Sequence, residues 1–130
     1  MRFLALVALL ALAGCTGQAQ QAQTLLNEYA AAAASGQDLT PYLTSEALSS
    51  AQESQLLVEE LGLSSFGTSR FSETKALRSG EYQSCLDVSQ IRFLDANSEP
   101  FELDRLARQW VFVEIRDGLI SDIQLAGEVC

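Results

Sequence analysis

Histidine is absent from the 130 residues, and that absence removes much chemistry. Without an imidazole there is no histidine general base, no His-ligated zinc and no Ser-His-Asp triad. Basic residues are scarce: 8 Lys and Arg stand against 17 Asp and Glu, a formal net charge of −9. Nucleic acid needs clustered Lys and Arg to meet its phosphates, so it is excluded as a partner. An anionic lipid surface would also repel such a chain. Long apolar runs are missing as well. The run Phe3–Ala13 falls well short of the roughly 20 residues that span a hydrocarbon core. No internal repeat recurs at a useful period.

What is present begins with an address. Met1 and Arg2 supply a minimal positive start, Phe3–Ala13 is uninterrupted and apolar, and small residues follow. That is the layout of an export signal over residues 1–14. Leu12-Ala13-Gly14-Cys15 resembles the lipobox of bacterial lipoproteins. The resemblance implies that the Cys15 thiol receives a diacylglycerol and that the chain is cut just before it. The mature protein is then held on the extracytoplasmic face of the cell membrane. Each buried methylene adds about 0.8 kcal/mol to attachment, so two acyl chains hold firmly where one does not. Residues 15–23 read as a lipid-anchored polar tether, with "TGQAQQAQ" small and uncharged after the cysteine. Residues 24–130 read as one domain, large enough for a real core.

Within that domain Thr24–Ala34, "TLLNEYAAAAA", predicts a helix stopped by Gly36. "DLTPYL" (38–43) predicts a turn, since Pro41 bars helix at Thr40. A second helical region spans about Ser45–Leu61. Ser50-Ala51-Gln52-Glu53 matches a capping box, so a break and fresh start are expected there. Leu56, Leu57 and Leu61 give its apolar side. Strands follow over 68–77 and 81–96, then a turn at 97–100. The stretch Arg108–Arg116 and the return Leu119–Leu125 flank Asp117-Gly118, a strong two-residue hairpin signal. Val113, Ile115, Ile123 and Leu125 make the better inward set, which leaves Trp110 and Phe112 on a second face. Helices first and about four antiparallel strands after them describe an α+β domain, with helices packed on one side of a curved sheet.

The order of these elements, with "EYQSCLDVSQIRFLDANSEP", the strand led by Trp110 and the closing "DGLISDIQLAGEVC", resembles small lipoproteins of high-GC Gram-positive bacteria. That family has an NTF2-like, or cystatin-like, cone fold. The resemblance implies a hollow between sheet and helices that takes a small apolar ligand, and in related enzymes an acid–base residue. Tyr82, Asp87 and Glu114 occupy strand positions able to face such a hollow, and Trp110 and Phe112 could floor it. A buried Asp87 with a raised pKa could act as a base beside Tyr82 in an isomerase- or dehydratase-like enzyme. The leading expectation is instead a non-enzymatic module, needing no cofactor, that binds a small apolar molecule or a partner protein. The Trp110/Phe112 face fits a homodimer contact as well as it fits a ligand.

With Cys15 assigned to the anchor, Cys85 and Cys130 remain. Two cysteines in an exported domain favour a disulfide. In the chain-entropy model it contributes on the order of 3–4 kcal/mol. A simple meander resists it. If Cys85 opens the second long strand, level with Asp117-Gly118, then Cys130 lies roughly eleven residues away at about 3.3 Å each, beyond bridging reach. Either "AGEVC" folds back at Gly127, or the strand order or bend differs. Asp95, Asn97 and Glu99 alternate as in a calcium loop, but the central Gly and later bidentate Glu are missing, so a polar turn is expected and no metal.

Overall fold

The structure is a computed structural model describing residues 2–130, with side chains from Gly17 onward. The expected leader and the lipidation residue Cys15 lie outside those described side chains. Two helices, α1 (Arg2–Ala34) and α2 (Ser45–Glu60), precede seven strands. These are β1 (Ser64–Phe66), β2 (Arg70–Arg78), β3 (Glu81–Asp87), β4 (Arg92–Leu94), β5 (Pro100–Phe101), β6 (Arg108–Arg116) and β7 (Leu119–Leu125).

The polar segment expected as a tether is helical, because Gln and Ala are good helix formers. Packing starts inside it. Ala22, Leu26 and Ala30 recur at four-residue spacing and are all buried against the sheet. On the flank of that face, the Gln23 Oε1 accepts from the Thr74 N–H at 3.2 Å. One turn on, the Asn27 amide donates to the Phe71 carbonyl at 2.9 Å, and its Oδ1 accepts from the Phe71 N–H at 2.8 Å. β2 is an edge strand, so these two amides occupy backbone groups that would otherwise stand open.

The chain then covers the opposite edge. Leu43 bridges Ile120 of β7 in parallel sense, with Thr44 N–H donating to the Ile120 carbonyl and Ile120 N–H to that of Tyr42. Thr44 caps α2, its Oγ1 accepting from Ala47 N–H at 3.3 Å. The helix therefore starts at Ser45 and runs unbroken through the capping box expected at Ser50. Its N-terminal half leans on the core through Ala47, Leu48 and Ala51. Leu56, Leu57 and Leu61, expected as its packed side, are exposed at 57, 58 and 64 %.

The main sheet is antiparallel in chain order, β2-β3-β6-β7, and holds the four expected strands. The stretch 81–96 is divided: Ile91 N–H turns back onto the Val88 carbonyl, and Val88 N–H bonds Ala107. Beyond that turn, β4 pairs with β1 and β5 as a second, three-stranded antiparallel sheet. Its hairpin turn is tied by the Asp95 carboxylate, which accepts from the N–H groups of Asn97 and Glu99. Asp117 and Gly118 both take positive φ, 52° and 77°, as the β6–β7 turn requires.

Leu26, Leu43, Phe71, Val111, Val113 and Ile120 form the centre of the core between α1 and the main sheet. Val113 is inward as expected, with Ile115 and Ile123 against the core, but Leu125 is 63 % exposed. Ile120 is fully buried although it stands out of phase with Ile123. A register shift explains this: Asp122 faces Glu114 but Ile120 faces Ile115, so Ser121 is the extra residue of a bulge. β2 carries two further register shifts, one at Leu77 and one at Glu73. There the buried Ser84 hydroxyl bonds both the Thr74 hydroxyl and the Ser72 carbonyl.

The disulfide is present: Cys85 and Cys130 are bonded with Cα atoms 5.9 Å apart. The meander holds, and the expected placement of Cys85 is what fails. Cys85 lies near the end of β3, opposite Trp110 at the start of β6, and so far from the Asp117-Gly118 turn. The tail then bulges at Gly127, whose φ is 74°. Trp110 accepts from Ala126 but donates to Glu128, two residues along. Since β6 lies between β3 and β7, the tail crosses the start of β6 to reach Cys85.

Candidate functional site

Residues paired across antiparallel strands share a face, and neighbours along a strand alternate. The rows Asp87–Arg108, Cys85–Trp110, Gln83–Phe112 and Glu81–Glu114 therefore lie on the outer face of the main sheet. Tyr82, paired with the buried Val113, lies on the inner one and packs against the core. The sheet thus brings Asp87, Trp110, Phe112 and Glu114 to one side and turns Tyr82 inward, although Tyr82 joins Phe112 and Glu114 in lining a cavity of about 240 Å³ at the sheet. The Asp87–Tyr82 pair of an isomerase-like pocket is not assembled.

The electrostatics of Asp87 run against base catalysis. Hydrogen bonds from the Ser89 side chain and backbone hold its carboxyl below the usual range, with Arg108 and Arg70 lowering it further. A stabilised carboxylate is a weak base, the reverse of the raised pKa that general-base work at neutral pH requires. Glu114 is tied to the Arg116 guanidinium. Trp110 is half-buried beside the disulfide, and Phe112 is 44 % exposed.

The inner face of the main sheet is filled by the chain's own side chains. A cleft of about 220 Å³ remains under α2, lined by Tyr29, Ala47, Ala51, Ile120 and Ile123 among others. Burial pushes the Tyr29 hydroxyl above its ordinary pKa. That keeps it protonated and available as a donor.

A larger hollow, about 640 Å³, lies at the second sheet. Its apolar wall is Ile91, Phe93, Pro100, Phe101 and Leu103. Phe93 and Phe101 are paired across β4 and β5 and so share a face. The Arg105 guanidinium sits over the Phe93 ring, 5.1 Å from its centroid. Its Nη2 donates to the carbonyls of Val88 and Ile91, at 3.4 and 3.0 Å, fixing the turn that leaves β3. Arg92 and Glu102 also line the hollow. Phe101 and Leu103 are exposed at 43 and 42 %. A concavity of this size, mostly apolar with a few polar groups, has the general form of a small-molecule site.

None of these lining residues stood among the sequence-derived candidates. A signal was available: "IRFLDANSEPFELDRL" places large apolar residues on both sides of a polar turn, with an arginine after them. It was masked by reading 81–96 as a single strand.

No family model, curated protein or solved structure matches the chain. No helix among the described residues is long and apolar enough to cross a membrane.

Proposed function

We propose that this chain is an exported, lipid-anchored surface lipoprotein whose domain is a non-enzymatic binding module for a small apolar ligand. The anchoring half of the reading is supported by Leu12-Ala13-Gly14-Cys15 closing a short apolar leader. It is also supported by a disulfide, a bond that persists in oxidising compartments. The fold is read as NTF2-like, on the strength of a long helix laid on one face of a four-stranded antiparallel sheet.

One observation carries the binding half: a wide apolar concavity opens at the second sheet, with Phe101 and Leu103 exposed on its wall. The ligand site is therefore moved from the inner face of the main sheet to the hollow between β4, β5 and the segment 102–107. A partner-protein reading draws on α2, where Leu56, Leu57 and Leu61 face solvent. The discriminating experiment is Nile red uptake by the exported chain and its Leu103→Asp variant. Saturable uptake that the variant loses, with its disulfide and circular dichroism intact, supports ligand binding at this hollow. Equal uptake by both proteins, or none by either, shifts the weight to the partner-protein reading.

A further inference from the structure

Charge singles out what the hollow takes. The chain carries an acidic excess of 17 to 8, yet the residues lining the hollow include two arginines, Arg92 and Arg105, and one glutamate, Glu102. Among the described residues neither arginine is within ion-pair distance of a carboxylate. The two ion pairs that do form, Arg108–Glu73 and Arg116–Glu114, lie elsewhere, on the main sheet. Arg105 is also fixed in place, by two carbonyls and by the Phe93 ring beneath it. Both carbonyl bonds use Nη2, and a guanidinium has five donors, so Nη1 and Nε keep theirs for a further acceptor. A guanidinium held in place with donors to spare suits an anionic oxygen.

We propose that the hollow binds a single-chain amphiphile with a monoanionic head, a free fatty acid. Its carboxylate lies at Arg105, and its acyl chain runs over Phe93, Phe101 and Leu103. Two cations and one carboxylate leave a single positive charge, which a monoanion neutralises and a doubly charged phosphate monoester overshoots. The proposal rests on the reading of the hollow as an apolar-ligand site, and the experiment separates the two.

Full-length chain in its membrane is exposed to dodecanoate bearing a terminal diazirine, and in parallel to the matching diazirine dodecanol. After irradiation the labelled peptides are mapped. Labelling by the acid is expected within residues 88–107. The alcohol should label about tenfold less, as should the acid on Arg105→Gln, since a charge-assisted pair is lost in each case. Arg92→Gln, whose side chain holds no loop in place, should weaken acid labelling several-fold. It serves as the second variant if Arg105→Gln loosens the turn at Val88–Ile91. Equal labelling of this segment by acid and alcohol, or acid labelling unchanged in both variants, overturns the anionic-head assignment and leaves the apolar site standing. Labelling of the segment by neither probe overturns both.

Discussion

One carboxamide and one carboxylate account for much of what single residues do here. Asn27 presents its amide to Phe71 as a neighbouring strand would, satisfying one N–H and one carbonyl at the sheet edge. Asn27→Ala should lower stability by about 2 kcal/mol, because both groups are then left without a partner in a partly buried site. A urea titration that finds the midpoint unchanged would show that solvent replaces the amide at no cost. Asp87 makes a prediction about pH. Its folded pKa is depressed by Ser89 and then by Arg108 and Arg70, so its contribution is complete above an unfolded pKa near 4 and is lost as pH falls through the folded value. Asp87→Asn should be less stable than the parent at pH 7, with the gap closing as the pH is taken below about 4. A gap that is constant across pH would mean that the carboxylate's charge is irrelevant. Neither role was legible beforehand. Asn27 reads as one more helix residue until β2 is beside it, and Asp87 reads as a candidate base until Ser89 is seen to bond it.

At the scale of elements, the four strands of the main sheet were legible, but the second sheet and the registers were not. Alternation and the Asp117-Gly118 turn are local, so β6, β7 and their inward Val113 follow from pattern alone. Bulges are different. The extra residues at Glu73, Ser121 and Gly127 leave no mark in hydrophobic period, yet one of them turns Ile120 into the core and another carries the tail toward Cys85. The expected conflict between a meander and a Cys85–Cys130 bond dissolves because β3 runs from Glu81 opposite Glu114 to Asp87 opposite Arg108. The bond closes a 45-residue separation, and replacing both cysteines by serine should cost on the order of 3–4 kcal/mol. That loss is read as a lower urea midpoint; an unshifted midpoint would mean that the main sheet holds the tail without the sulfurs. α2 shows another limit of pattern. Leu56, Leu57 and Leu61 are amphipathic by spacing, but the helix meets β7 only along its first turns and carries them past the sheet.

For the molecule as a whole, the proposed lipid anchor precedes a two-sheet domain with an apolar hollow on the smaller sheet. The start was read from sequence, and it makes its own prediction. Cys15→Ser should leave the chain unprocessed and without a lipid, detectable as a larger mass and as loss of labelling by a radioactive fatty acid. Continued lipid labelling of the variant would contradict the assignment of Cys15. The hollow was not read, because its walls come from two short strands and a connecting segment that gain a common face only once β4 and β5 have paired. Its occupancy is the central claim. It is tested most directly by native mass spectrometry of the full chain released from the membrane, alongside Leu103→Asp. The account predicts one added small-molecule mass on the parent chain, lost on denaturation and missing from the variant. The bare chain mass in both proteins would contradict it.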